Sequence, residues 1–160
     1  MTKSITARQI LGTAAVMALG AVCFAVFTQY ALDMQPCPWC VLQRLICIAI
    51  VLAALPGVLW TQRSVQILSS LFVLIFALAG AAAALWQHFV AAASASCDLT
   101  LADRIISGMG LDVALPDVFA PRASCAEAAV TLLSIPYDIW SLVLFLLLGV
   151  GGIFALCVRP

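Results

Sequence analysis

The stretch CPWCVLQRLICIAIVLAALPGVLW, from Cys37 to Trp60, places two cysteines directly before a long apolar run. The run from about Val41 to Trp60 is long enough to cross the hydrocarbon core of a bilayer as a helix. Cys37 and Cys40 therefore lie at the start of a predicted membrane helix, in a short polar segment between two apolar runs. Cysteines at this spacing suit thiol–disulfide exchange better than a permanent cross-link.

Three further apolar runs of similar length accompany this one. They cover about 10–32, about 65–93 and about 139–158. The chain has 160 residues, of which 66% are hydrophobic and only 9% are charged, whereas soluble domains carry about 25% charged residues. Most of its surface must therefore face lipid. We predict an all-α membrane protein, with residues 1–160 forming one domain built as a bundle of four transmembrane helices.

The distribution of charge predicts the orientation of the bundle. Four spans bring three basic segments to one side of the membrane: Lys3 with Arg8, Arg63, and Arg159. By the positive-inside rule that side is cytoplasmic, together with both termini. The loops at about 33–40 and 94–138 then face the periplasm. A formal net charge of zero makes nucleic acid an unsuitable partner.

The longer of these loops holds two more cysteines, Cys97 and Cys125. Within it, Thr100–Met109 is predicted to form a short amphipathic helix that begins with a Thr100–Asp103 capping box. Its apolar residues share one face, which suits a helix lying in the membrane interface. These residues are Leu101, Ile105 and Met109.

The cysteines allow several interpretations. The C-x-x-C pair could be a redox pair, a static disulfide or a site for Cu(I) or Zn(II). A metal site needs further ligands, but His88 is the only histidine and the methionines form no cluster, so we predict no bound metal. The two loop cysteines could form a structural clamp or exchange with the C-x-x-C pair. Three other cysteines lie in apolar spans and are expected to be packing residues: Cys23, Cys47 and Cys157.

Three polar residues near the predicted periplasmic ends of the spans are candidates for binding a quinone. Arg44 follows Cys40 by four residues, so it lies on the same helix face about one turn deeper. It could stabilise a Cys40 thiolate and donate to a quinone carbonyl, or it could reach the lipid headgroups. His88 on the third span could bind quinone or simply lie at the interface. Gln29 lies at a matching height on the first span.

Four motifs resemble those of the DsbB family, the bacterial inner-membrane thiol–quinone oxidoreductases. They are the run QPCPWCVLQR from Gln35 to Arg44, the pair Gln87–His88, the sequence C-A-E at Cys125–Glu127, and Pro136 with Trp140. The resemblance covers all four spans and the order of both cysteine pairs. Trp39 stands where that family often has leucine.

The resemblance implies a relay of electrons. A periplasmic dithiol protein resembling DsbA would attack at Cys97, and Cys125 would pass the electrons to Cys37. Cys40 would deliver them to ubiquinone, or alternatively menaquinone, from the membrane pool near Arg44. Three other possibilities stay open: a metal-handling membrane protein that uses the C-x-x-C, a non-catalytic scaffold or small transporter, and a paralogue that serves one dedicated thiol partner.

Overall fold

Four long helices dominate the computed structural model, which describes residues 6–92 and 100–158. They are α1 (Ala7–Ala31), α2 (Pro38–Leu59), α3 (Arg63–Trp86) and α7 (Tyr137–Cys157). A π-helical turn, Gln87–Ala91, continues α3. All four are long and apolar enough to cross a membrane. The prediction of a four-helix membrane protein is confirmed.

Small elements fill the long connection between α3 and α7. They are α4 (Leu101–Gly108), α5 (Leu111–Ala114), α6 (Pro116–Phe119) and an antiparallel hairpin of β1 (Thr131–Leu132) and β2 (Ile135–Pro136). We call the end of the bundle that carries these elements and the α1–α2 connection the cysteine end.

Capping explains why the first two spans begin a few residues earlier than hydropathy predicts. The Thr6 hydroxyl accepts the Gln9 N–H, and the Gln9 side chain accepts the Thr6 N–H, so α1 begins at Ala7. Cys37 is the N-cap of α2, which begins at Pro38. Proline suits this position because its missing N–H has no helical partner there.

The four long helices pack in a ring, with α1 against α2, α2 against α3, α3 against α7, and α7 against α1. The contact between α1 and α7 is the least extensive of the four. Side chains from all four helices fill the centre, including Leu11, Ile50, Val73 and Phe145. The weaker α1–α7 contact leaves room for a cavity on that side.

Glycines allow the closest helix contacts. The ring of Phe145 on α7 lies directly over Gly80 on α3, where a Cβ atom would overlap it. Gly57 on α2 similarly accommodates Leu11 and Ser69. These contacts bring backbones together without a large side chain between them, as is common among membrane helices.

The predicted amphipathic helix is present as α4, and its Thr100–Asp103 capping box is confirmed. Ala102 and Ile106 are buried on the side that contacts α2, and the apolar side chains named in the prediction point outward. The exposed apolar face is thus available to lipid rather than to the protein core.

The prediction that three cysteines of the apolar spans are packing residues is correct for one of them. Cys47 is buried in the bundle. The prediction is wrong for Cys23 and Cys157, which are exposed because they lie on the outer surfaces of α1 and α7.

Candidate redox site

The C-x-x-C pair occupies the first turn of α2. Cys37 is fully buried, and its sulfur accepts the backbone N–H of Cys40 at 3.2 Å. The two sulfurs lie 2.7 Å apart. A disulfide bond is about 2.05 Å long, so a small side-chain rotation joins them. Between them in the sequence, Trp39 packs against Trp86 of α3, with ring centroids 6.2 Å apart.

The long connection returns to this turn and brings a third cysteine to it. The backbone N–H groups of Arg122 and Ala123 donate to the Pro36 carbonyl oxygen at 2.9 and 3.3 Å. Just beyond them, Cys125 is buried against Cys37 and hydrogen-bonded to it. The three thiols of Cys37, Cys40 and Cys125 therefore form one cluster with Cys37 at its centre.

The hydrogen bond between Cys37 and Cys125 makes the two thiols unequal. Donation from Cys37 lowers the pKa of Cys125, and this effect outweighs the burial that opposes it. The hydrogen bonds to Cys125 and Cys40, together with burial, raise the pKa of Cys37 because they favour its protonated form. Since the thiolate is the attacking species, Cys125 is the better nucleophile of the two.

A cavity of about 390 Å³ adjoins the cysteine cluster, between α1, α2, α7 and the hairpin. Apolar side chains form most of its wall, among them Val22, Phe24, Leu144 and Phe145. Its polar lining residues include Thr28, Gln35, Cys40, Gln43, Arg44, Gln87 and Tyr137. Cys40 thus lines the cavity on one side and contacts Cys37 on the other.

Arg44 is buried in the cavity wall and ties together three parts of the protein. Its guanidinium donates to Gln29 Oε1 at 2.8 Å, to the Val118 carbonyl at 3.0 Å and to the Ala25 carbonyl at 3.1 Å. An arginine has five N–H donors, so the described residues leave two of them free. Arg44 therefore holds α6 against α1 and α2 and can still donate to a ligand.

A quinone fits the chemistry of this cavity. Its apolar lining suits a ring with an isoprenoid tail, and its volume lies within the range of small-molecule sites. The remaining N–H groups of Arg44 complement a quinone carbonyl. Within residues 6–92 and 100–158, the buried Gln35 Oε1 has no hydrogen-bond partner. This oxygen complements the hydroxyl of a quinol.

The other predicted site residues occupy different positions. Gln29 is buried behind Arg44, accepts its N–H and donates to the Asp117 carbonyl at 3.3 Å, but it does not line the cavity. His88 Nδ1 pairs with Asp138 Oδ2 at 2.6 Å and also lies outside the lining. Cys97 lies outside the described residues.

Two glutamines in the cavity wall, Gln43 and Gln87, were given no role by sequence reasoning, although both lie in the motifs quoted above. Gln43 and Gln87 are both buried, and Gln43 Nε2 donates to Gln87 Oε1 at 2.8 Å. The sequence signal that could have found them is a polar residue inside an apolar span. Placing such a residue in the membrane costs free energy unless it has a partner or a function. The position of Gln43, three residues after Cys40, places both on one helix face.

The family and the relatives that match this chain are all described as disulfide bond formation proteins. Residues 7–155 match the family DsbB, described as disulfide bond formation protein DsbB. Disulfide bond formation protein B of Aromatoleum aromaticum is 32% identical over 152 residues, covering 89% of this chain and 87% of the relative. Disulfide bond formation protein B 1 of Pseudomonas syringae pv. syringae is 34% identical, covering 82% of each chain. Disulfide bond formation protein B of Shewanella frigidimarina is 31% identical, covering 83% of this chain and 80% of the relative.

Proposed function

Because this chain belongs to the DsbB family of disulfide bond formation proteins, we propose that it reoxidises a DsbA-like dithiol protein and passes the electrons to a membrane quinone. One observation carries the proposal. Cys37 contacts Cys125 on one side and Cys40 on the other, and Cys40 lines a cavity that suits a quinone. The cluster therefore connects the long loop to the lipid-soluble acceptor.

The first exchange uses the loop cysteines. A thiolate of the dithiol partner attacks Cys97 in a Cys97–Cys125 disulfide, and Cys125 leaves as a thiolate. The second partner thiol then attacks the mixed disulfide and releases Cys97. The partner gains a disulfide, and the loop pair is reduced by two electrons.

The second exchange transfers these electrons to the C-x-x-C pair. The Cys125 thiolate attacks Cys37 in the Cys37–Cys40 disulfide, and Cys40 leaves as a thiolate. Cys97 then attacks Cys125, which restores the loop disulfide and leaves Cys37 and Cys40 reduced. The contact between Cys125 and Cys37 supports this order of attack.

Arg44 and Gln35 are the residues that would hold the quinone. This quinone is ubiquinone or, alternatively, menaquinone. A bound quinone supplies the oxidising power, since it takes up two electrons and two protons as Cys37 and Cys40 return to the disulfide. Gln29 keeps the Arg44 guanidinium in place. The Arg44 charge also favours a thiolate at Cys40, one helical turn away.

The location proposed for this reaction is the bacterial inner membrane, with the cysteine end in the periplasm. Arg8 and Arg63 lie at the opposite end of the bundle, which the positive-inside rule assigns to the cytoplasm. Disulfides persist in the periplasm, where such a relay has a use.

Quinone reduction by the purified protein tests the proposal. The detergent-solubilised protein is mixed with a short-chain ubiquinone and a reduced DsbA-like protein, and quinone absorbance is followed. We expect the quinone to be reduced only when both the partner and the enzyme are present. The Cys40→Ser variant should abolish this reduction. Absence of reduction together with retained Cu(I) or Zn(II) would instead support the metal-handling alternative.

Trapping of the partner tests the roles of the loop cysteines. Cys125→Ser leaves Cys97 as a free thiol, which should attack the disulfide of the oxidised partner and accumulate a covalent adduct, because Cys125 is no longer there to displace the partner from Cys97. Cys97→Ser should not form this adduct, and non-reducing gels distinguish the two. If neither variant forms an adduct while quinone reduction persists, the loop pair is a structural clamp.

A further inference from the structure

Two buried glutamines form a chain of hydrogen bonds that ends on Cys40. Gln87 Nε2 donates to Cys40 Sγ at 3.3 Å. Gln43 Nε2 donates to Gln87 Oε1 at 2.8 Å. Both side chains are only 6% exposed and both line the cavity. The chain links α2 to the end of α3 at the sulfur that faces the cavity.

The contact with Gln43 determines which way the Gln87 amide points. A carboxamide has an acceptor oxygen on one side and a donor nitrogen on the other. Because Gln43 donates to the oxygen of Gln87, the nitrogen is turned toward Cys40. A buried amide costs free energy unless it is hydrogen-bonded, so this orientation is favoured over the reverse one.

The backbone at Gln87 is also unusual. Gln87 is the first residue of the π-helical turn Gln87–Ala91, which directly follows α3. Such turns are rare and occur frequently at functional sites. Immediately before it, Trp86 packs against Trp39 of the C-x-x-C motif. The wide turn and the tryptophan contact together fix the end of α3 beside the cysteine pair.

We propose that Gln87 is a catalytic residue that stabilises the Cys40 thiolate, and that Gln43 is a positioning residue that holds the Gln87 amide in its donating orientation. The inference rests on the proposed thiol exchange. When Cys125 attacks Cys37, the new bond joins Cys125 to Cys37 and the Cys37–Cys40 bond breaks. The electron pair of the broken bond goes to Cys40, which leaves as a thiolate. An N–H donor aimed at that sulfur makes it a better leaving group.

Other groups around Cys40 have different roles in the exchange. Cys37 and Cys125 are themselves reactants. Arg44 acts through its charge, and Tyr137 of α7 is a further titratable neighbour. The Gln87 amide is neutral at every pH used in such experiments. The contribution of Gln87 to the stability of the Cys40 thiolate therefore has to be measured by removing its N–H donor.

The test is the pH profile of Cys40 alkylation, which needs neither the dithiol partner nor a quinone. Cys37, Cys97 and Cys125 are replaced by serine in the full-length protein, and the modified cysteine is identified by peptide mass spectrometry. Gln87→Leu should move the midpoint of the Cys40 profile to higher pH by about one pH unit, as expected for one lost hydrogen bond to a charged sulfur. Gln43→Leu should move it in the same direction by less.

Two further variants make the result decisive. Gln87→Glu keeps the size of the side chain and the oxygen that Gln43 contacts but replaces the donor with a carboxylate oxygen. The lost donor and the added negative charge should together move the midpoint at least as far as Gln87→Leu does. Gln66→Leu is the matched control, since Gln66 is a buried glutamine in the first turn of α3, at the opposite end of that helix from Gln87. It should leave the profile unchanged.

Unchanged profiles in both Gln87 variants would overturn the role of Gln87, and an unchanged profile in Gln43→Leu would overturn that of Gln43. Gln87→Met tests the loss of the donor if Gln87→Leu does not fold, because methionine has a similar length, no N–H and no charge. Because alkylation is independent of quinone reduction, either result stands whether or not the proposed function does.

Discussion

The backbone N–H of Arg122 donates to the carbonyl oxygen of Pro36 at 2.9 Å and so joins the two connections at the cysteine end. Pro36 immediately precedes Cys37, and Arg122 lies three residues before Cys125. The hydrogen bond therefore sets the position of one thiol relative to the other. Since it is made by backbone atoms, it depends on the backbone conformation of both loops and on no particular side chain.

Arg122→Pro should separate the two thiols because proline has no N–H to donate. In a background with Cys40 and Cys97 replaced by serine, we expect formation of the Cys37–Cys125 disulfide under mild oxidation to slow at least several-fold. Peptide mass spectrometry after alkylation of free thiols measures it. Arg122→Ala is the control, since it removes the side chain and keeps the N–H. Equal rates in the two variants would show that this backbone contact does not position Cys125.

Removal of the Cys37 thiol should make Cys125 less reactive at neutral pH. The hydrogen bond from Cys37 lowers the pKa of Cys125, so Cys37→Ala should raise that pKa and move the alkylation profile of Cys125 to higher pH. Cys40→Ala keeps the Cys37 donor and should not produce this upward movement. In the fully reduced protein, a Cys125 profile that is the same in wild type and Cys37→Ala would contradict the assigned hydrogen bond.

Hydropathy and motif spacing predicted the features that depend on neighbouring residues in the sequence. The four spans, the capping box of α4 and the common face of Cys40 and Arg44 are of this kind. The contacts of Gln29 and His88 depend instead on how distant segments pack. Gln29 accepts from Arg44 on another helix, and His88 pairs with Asp138 at the start of α7. No local pattern contains that information.

The same dependence on the packing of distant segments explains why the sequence alone does not determine how the two cysteine pairs are related. Cys125 is far from Cys37 in the sequence, and its position there is compatible with both a structural clamp and an exchange partner. The return of the loop to Pro36 was not visible in composition or periodicity. The structural role of Arg44 was missed for a similar reason, because two of its acceptors are backbone carbonyls.

Gly80→Ala should destabilise the bundle. The added Cβ would overlap the buried ring of Phe145, so α3 and α7 must move apart or the ring must rotate. Overpacking of this kind costs about 1–3 kcal/mol, which thermal unfolding in detergent would detect. Gly20→Ala is the matched control, since none of the described atoms beyond the neighbouring backbone of its own helix lies within 4 Å of its added Cβ. Equal stability of the two variants would contradict the close α3–α7 contact.

Reporter fusions test the proposed orientation. A fusion at Arg63, between α2 and α3, should report the cytoplasm, and a fusion at Asp112, in α5, should report the periplasm. The physical reason is the retention of positive charge on the cytoplasmic side. A pair of reporters, one active only in each compartment, gives opposite signals at the two positions. The reverse pattern would exclude exchange with a periplasmic partner.

Arg44 should serve both quinone binding and folding, and substitutions at Arg44 and Gln29 can separate these roles. Arg44→Lys keeps the charge but loses the planar set of donors. It leaves buried acceptors without partners, each at a cost of about 1–3 kcal/mol. We therefore expect a higher apparent KM for quinone and a lower unfolding temperature.

Gln29 provides the matched comparison because it contacts Arg44 without lining the cavity. Gln29→Leu removes the acceptor that orients the guanidinium, so it should also raise the apparent KM for quinone. Gln29→Glu keeps an acceptor oxygen for Arg44 and should have a KM closer to that of the wild type. Steady-state quinone reduction at saturating dithiol partner measures all three variants. If Arg44→Lys lowers stability but leaves KM unchanged, Arg44 is a structural residue that joins α1, α2 and α6, and the quinone is held by other groups.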